Sequence, residues 1–433
     1  MSNPGLKLAL PILVGRSVRL LARLRGGGSA FPGLVTRKLA PNFIADTMAQ
    51  LPHGVVVVLG SNGKSTTTNI LTAIMREHGL RVFTNPSGAN LPQGIASSLL
   101  SEVSLTGRLA ADVGVIEVDE AFGEVICREL KPTAAVILNL QIDQIYRFFE
   151  PERVAQMFRD ILAQVSQRVV LNRDDNFLRS LAHDLSDENR LDVSFFGASP
   201  EVIEAAPHGQ VLARDYSNEN SERVAALNAP FAEVVSLDGN NSVIRVGGVD
   251  NAVRLPVRGL HYAVDTAGAI SLAAAALGDK FSLETAIRAV QEAKTVYGRG
   301  EVLKDGDIDI EILLLKNLAS LQLNLDYLEG TPDSVLFALD AGSKDPSWLY
   351  AADLSRLGYV DVVSGPKAAF VALRLAYEGI EYGTIEPDVV KAVQLLQRTP
   401  APASGTRTLI LDYDQMLLTR KHLGYKDLEA GAA

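Results

Sequence analysis

One cysteine and one tryptophan in 433 residues close several options at the outset. The lone thiol, Cys127, has no partner for an internal disulfide and cannot supply a cysteine-rich zinc site. No apolar run approaches the roughly 18 residues of a membrane span. The candidate near the start, "LALPILVG", is short, and Arg16 follows it at once, so neither a span nor a secretory leader is expected. A cytoplasmic location is the simple expectation. Lysine is missing between Lys131 and Lys280. Acids are missing from residues 1–45, which carry Lys7, Arg16, Arg19, Arg23, Arg25, Arg37 and Lys38.

Elsewhere acids predominate, giving a formal net charge of -10 and arguing against general nucleic-acid binding. Hydrophobic residues make up 47% and charged residues 21%, the balance of a chain folded throughout. The length predicts two or three domains. In the basic N-terminal segment, Pro11 to Arg25 could form a helix with an apolar stripe, ended by Gly26-Gly27-Gly28. Such a helix packs on a core with a solvated basic side, or else touches an anionic membrane surface or a phosphorylated substrate.

Short β-branched runs alternate with helical spacing from Val55 to about residue 195. "VVVVL", "RVFTN", "VGVIEV", "AAVILNL" and "RVVLN" read as strands of a doubly wound parallel α/β sheet. Residues 196–257 are turn-rich and read as a small β-rich insertion of antiparallel character. Residues 264–277 and 282–294 read as helices. A second, smaller α/β domain is expected from residue 298, with strands at "IEILLLKN", "SVLFALD", "VDVVSG" and "TLILDYD". The expected division is a segment 1–45, a central domain 46–297 and a C-terminal domain 298–433.

"VVVVLGSNGKSTTTN" carries the first chemistry. A strand enters a glycine loop that opens a helix, the context of a phosphate-binding motif. Gly60, Ser61, Asn62 and Gly63 would turn amides inward, and Lys64 would reach terminal phosphates. Ser65 or Thr66 would place a hydroxyl on magnesium, at the positive end of the helix. The spacing is G-x-x-G-K-S, because Val58 stands where the longer form has glycine. Polar residues follow three further strands. Glu117, Asp119 and Glu120 are suited to magnesium or are solvated strand ends. Asn139, Asp143 and Gln144 follow the next strand, and Asn172, Asp174 and Asp175 the one after. All three groups fit one shared cleft.

These motifs resemble the Mur ligase superfamily, in particular its MurT branch, subunits of lipid II isoglutaminyl synthase. The likeness runs through "GSNGKSTT", "NPSGANLPQGI", "EVDEAF", "NLQIDQ", "DQIYRFFEPE", "YGRGE", "DPSW" and "LILDYDQMLL". It implies a central ATP-binding domain and ATP with Mg2+, held by Lys64, Ser65 and Glu117, with Asn139, Asp143 and Arg299 at the nucleotide. It implies amidation of a D-glutamate α-carboxylate in the lipid II stem peptide through an acyl phosphate. The implied partner is a GatD-type glutamine amidotransferase, whose catalytic histidine an aspartate of the C-terminal domain would orient. Asp353 and Asp345 are the candidates, with Asp340 third; Ala351 replaces a further aspartate usual in the family. Only about 45 residues precede the nucleotide fold, which fits a lipid-linked substrate without a UDP handle.

The departures are specific. The branch commonly has a four-cysteine zinc ribbon, and residues 196–257 hold no cysteine, so no zinc is expected there. The lysine gap removes the segment that would offer a carbamylated lysine. Tyr262 and Asp265 stand where asparagines are usual, one of them near adenine, and Tyr262 could stack on the base. K-N-P-A-G is Lys316-Asn317-Leu318-Ala319-Ser320. Two other functions remain open: a different Mur-type ligase adding an amino acid or glutamate chain, and a nucleotide-binding scaffold.

Overall fold

The computed structural model describes residues 4–24, 30–85, 89–141, 151–188, 190–212, 229–294, 299–342 and 345–425, with backbone alone at 4–6, 23–24, 151–152, 186–188 and 299–300. Two sheets organise it. The first begins with six parallel strands: β1 (Val55–Leu59), β2 (Val82–Thr84), β3 (Val113–Glu117), β4 (Ala134–Ile137), β5 (Arg168–Asn172) and β6 (Asp192–Ala198), in spatial order β2-β3-β1-β4-β5-β6. β7 (Ala232–Asp238) joins β6 in parallel, and β8 (Asn241–Val246) and β9 (Val249–Arg254) follow as antiparallel hairpins. The β-rich insertion therefore widens the main sheet to nine strands.

The valine run explains why the sheet is covered on both sides. Alternate residues of a strand point to opposite faces, so an uninterrupted apolar run needs two cores. Val55, Val57 and Leu59 join one cluster, built with α1 (Pro4–Leu24), α3 (Phe43–Met48), α5 (Pro92–Glu102), α6 (Gly123–Leu130), α7 (Pro151–Leu162) and α8 (Asn176–Glu188). Val56 and Val58 join the other, built with α4 (Lys64–Glu77), α10 (Leu260–Leu277) and α11 (Leu283–Gln291). Each such side chain contributes about 1.5–3 kcal/mol on burial. α2 (Phe31–Leu39) lies over α5, and α9 (Pro200–Ala205) follows β6.

The second sheet has six strands: β10 (Arg299–Asp305), β11 (Ile308–Leu314), β12 (Val335–Ala338), β13 (Tyr359–Ser364), β14 (Glu381–Glu386) and β15 (Thr406–Leu411). Their order is β10-β11-β15-β12-β13-β14, and every pair except the β10–β11 hairpin is parallel. Val335, Phe337 and Leu339 face one core, Leu336 and Ala338 the other. α12 (Leu318–Asp326), α13 (Ala368–Tyr377), α14 (Val389–Gln397) and α15 (Tyr413–His422) connect and cover the strands.

Two expectations change. The N-terminal helix starts at Pro4, so Pro11 lies within it and not in its first turn; residues 26–28 lie outside the described residues. Its outward side carries leucines where a basic face was expected: Leu10, Leu13, Leu20 and Leu21 are all exposed. Among the described residues one helix is long and apolar enough to cross a membrane, Leu260–Lys280. It begins as α10, whose residues from Leu260 to Ala273 are nearly all buried in the second core.

Candidate active site

Four residues, Gly60 to Gly63, separate β1 from α4. Gly63 caps the helix with φ of 83°, a conformation that favours glycine. A Cβ on Gly63 would also overlap the Asp265 carboxylate. Glycine is thus required twice, by backbone and by neighbour. Asp265, which stands where an asparagine is usual in the family, lies against the phosphate loop. Tyr262 is 4% exposed and belongs to the core, so it offers no open face for stacking.

Two polar pairs form behind the loop. Lys64 Nζ lies 2.7 Å from Glu120 Oε1 and also donates to the Gly60 carbonyl. Ser65 Oγ donates to Glu117 Oε2 at 2.7 Å. All four side chains are buried. Asn85 fixes the strand end that bears Glu117: its Nδ2 donates to the Glu117 carbonyl and its Oδ1 accepts the Glu117 amide, both at 2.9 Å. Asp119 Oδ1 accepts the Ala121 amide. A hydroxyl beside one carboxylate, at a loop built for phosphates, is a donor set that suits Mg2+, which keeps waters and needs few protein ligands. Among the described residues no group of three or more His, Cys, Asp or Glu forms a separate metal site.

Asn139 braces the loop. Its Oδ1 accepts the Asn62 amide at 3.0 Å and its Nδ2 donates to the Asn62 carbonyl at 3.2 Å. Gln141, within the same quoted motif, exchanges bonds with Ser61 and Asn62. The next motif turns inward. Asn172 donates to the Leu138 carbonyl and Asp174 accepts the Ala198 amide. Asp175 accepts the Leu140 amide and caps α8 through Phe177 and Leu178. These three side chains secure strand ends, so the shared cleft is narrower than the sequence suggested. Burial raises the Asp175 carboxyl to about 6. Thr66 is buried in the first turn of α4. Asp143 and Gln144 lie outside the described residues; Arg299 is described only as backbone of β10, paired with Leu313.

The second sheet reaches the loop through a motif that read only as a departure. Asn317 caps α12 with a capping box, and Asn62 Nδ2 donates to its Oδ1 at 3.2 Å. Lys316 Nζ donates to the Ser61 carbonyl at 3.3 Å. Glu120 also borders a cleft of about 300 Å³ whose lining includes Glu124, Arg153 and Asp160.

The C-terminal aspartates occupy a separate surface. Asp345 is exposed and accepts the Ser347 amide at 2.9 Å. Asp353 accepts the Ser355 amide at 2.9 Å, and its Oδ2 lies 3.6 Å from His208 Nε2. Hydrogen bonds from Ser347 and Ser355 hold the two carboxyls below the usual range; His208 adds to the effect at Asp353. The other His208 nitrogen meets Asp326 at 2.8 Å. The turn between the aspartates is held from below by Arg374, 3% exposed, which donates to the carbonyls of Leu349, Tyr350 and Ala352. Asp340 accepts the Gly342 amide and receives Gln415 Nε2, beside Asp412 and Asp414. Nothing in the sequence pattern flagged His208 or Arg374.

Comparison with known proteins bears on the fold and the family. The model of the Mur ligase middle domain matches residues 58–270, from within β1 to within α10. The chain is 26% identical to the MurT subunit of lipid II isoglutaminyl synthase from Streptococcus pneumoniae, over 96% of this chain and 98% of that one. Among solved structures, MurF from Acinetobacter baumannii superposes with a TM-score of 0.66 at 16% identity, covering 92% of this chain and 80% of that one. MurF from Thermotoga maritima, solved in complex with ADP, gives 0.62 at 17% identity, covering 91% and 84%. The chain carries a Mur ligase middle domain and is similar along nearly its whole length to MurT subunits.

Proposed function

We propose that this chain is the carboxylate-activating subunit of a glutamine-dependent amidating ligase acting on the D-glutamate α-carboxylate of the lipid II stem peptide. The observation that carries the chemistry is the buried set of Lys64, Ser65, Glu117 and Glu120 at the head of α4. The full-length likeness to MurT subunits supports the substrate and the amide product.

ATP would supply the γ-phosphoryl group that converts the carboxylate to an acyl phosphate, with ADP leaving, and Mg2+ would offset the phosphate charge. Ammonia then attacks the acyl carbon, phosphate leaves, and the amide forms. The chain's part is to orient and to neutralise. Ser65 and Glu117 would hold the metal. Lys64, released from Glu120, would offset charge on the transferred phosphoryl. Asn139, Gln141 and Asn317 fix the loop that carries those groups.

Ammonia requires another chain. Glutamine hydrolysis needs an activated thiol or an equivalent nucleophile. Cys127 is fully buried, and burial pushes its thiol up to about 12, the opposite of activation. A GatD-type amidotransferase subunit would provide that step, with Asp353 or Asp345 turned toward its histidine. Both stay ionised at neutral pH, as an orienting carboxylate must. A lipid-linked substrate places the reaction at the cytoplasmic face of the membrane.

The test is mass spectrometry of lipid II incubated with ATP, glutamine, this chain and its amidotransferase partner. Product about one mass unit lighter is expected, and Lys64→Ala should lower its rate by about 10²–10³-fold. Efficient ligation of free amino acids by the isolated chain, without amide product in the pair, would overturn the reading.

A further inference from the structure

We propose that the outward face of α1 and α2 is a docking surface for an anionic lipid bilayer. The proposal deepens the function proposed above and rests on it for the identity of the lipid-linked substrate. The surface itself follows from exposure and charge.

α1 is apolar on two sides. Its inner side is committed to the protein: Ile12 is fully buried, and Gly15 packs so closely on Thr36 that a Cβ would overlap it. Arg16 turns inward as well, donating to the Leu100 and Val103 carbonyls at the end of α5. The outer side holds Leu10 at 68% exposure, Leu13 at 49%, Leu20 at 62% and Leu21 at 59%. One exposed leucine needs no explanation, but four along one helix form a stripe. Phe31 and Leu34 of α2, at 55% and 40%, add to it.

Charge selects the occupant. Residues 1–45 contain seven Lys or Arg and no acid, in a chain whose net charge is -10; of the seven, Arg16 turns inward and Arg37 pairs with Glu129. Lys7 and Lys38 are exposed on the same two helices. Leucines flanked by lysines, with a single aromatic, fit the interface of an anionic bilayer. A protein interface would be richer in aromatic residues and poorer in lysine.

Position gives the surface a purpose. Gly33 of α2 sits against the Gln93 carbonyl with no room for a Cβ, and its amide donates to Ser97 Oγ at 3.0 Å. The loop entering α5 is tied by Asn85, which bonds both the Ala89 carbonyl and the backbone of Glu117. The apolar face is therefore linked, through α5 and the contacts of Asn85 with Ala89, to the backbone of Glu117. A substrate anchored in the bilayer would present its head group beside that edge.

The test is co-sedimentation of the full chain with vesicles of phosphatidylcholine alone and of phosphatidylcholine with phosphatidylglycerol. Binding to the anionic vesicles, weakened by salt, is expected. Leu13→Gln/Leu20→Gln should lower it about tenfold or more. Both positions are exposed, so melting temperature and amidation of a short-chain, water-soluble substrate should be unchanged. No binding of the wild-type chain, or equal binding of the variant, overturns the proposal. So does loss of the amidotransferase partner with vesicle binding intact, which would make the face a protein interface. The two readings fail separately: absent turnover on both substrates with vesicle binding intact counts against amidation alone.

Discussion

At Asp175 the protein holds a carboxyl where water cannot reach it. Its exposure is 0%, and its two oxygens are occupied by amides of Leu140, Phe177 and Leu178. Desolvation outweighs these bonds and raises the folded value to about 6, against about 3.9 for a free side chain. The folded state thus binds more protons than the unfolded one between pH 4 and 6, so this group's contribution to stability falls as pH rises through that window. Asp175→Asn removes the slope. It also loses one acceptor, a cost independent of pH. Denaturant unfolding of both proteins from pH 4 to 8 should show the variant gaining on wild type up to pH 6, by about 2–3 kcal/mol, and no further. A flat difference would mean that Asp175 does not titrate in this range. From sequence Asp175 looked like a cleft ligand. Its neighbours explain the change: buried amides at strand ends need acceptors, and a short acid following a strand is the nearest supply.

Elements differ in how much of themselves they announce. β1 was legible because four consecutive valines suit a strand buried on both faces, and the phosphate loop because its glycines, lysine and hydroxyls fall between that strand and a helix. β14 was not legible. Its residues, "EYGTIE", are exposed for most of their length, and only pairing with β13 makes them a strand. β10 was missed because it is fixed by its hairpin with β11. The five-residue turn Ser347–Ala351 is a third case, organised by a residue some two dozen positions away. Arg374 lies in α13, which nothing in the sequence pattern linked to that turn. Its guanidinium satisfies three carbonyls and lies 5.7 Å from the ring of Tyr350. Arg374→Ala should cost about 2–4 kcal/mol, since it leaves several buried acceptors unpaired. Arg374→Lys should recover only part, because an ammonium cannot reproduce the planar fork. Thermal melting of the two variants checks the order. Equal stability of Arg374→Ala and wild type would show that the turn holds without it.

The whole molecule is joined by a few polar contacts that cross between the two sheets. Asn62 and Ser61 meet Asn317 and Lys316; Arg258 reaches Glu311 and Glu329; His208 meets Asp326 and Asp353. Asn317→Ala removes a helix cap worth about 1 kcal/mol and the contact with Asn62 together. A small fall in melting temperature and a several-fold weaker affinity for ADP are expected, the second read by calorimetry. An unchanged affinity would mean that the second sheet does not shape the loop. The same region has an electrical consequence. Lys64 and Lys316 bring two positive charges to the loop, while Glu117, Glu120 and Asp265 bring three negative ones, a formal sum of -1. A bare polyphosphate approaching that neighbourhood meets its own sign, and inorganic phosphate has little to gain there. A polyphosphate that arrives with a divalent cation delivers the missing positive charge itself. The loop in this sense favours a nucleotide that arrives with its metal over a bare one.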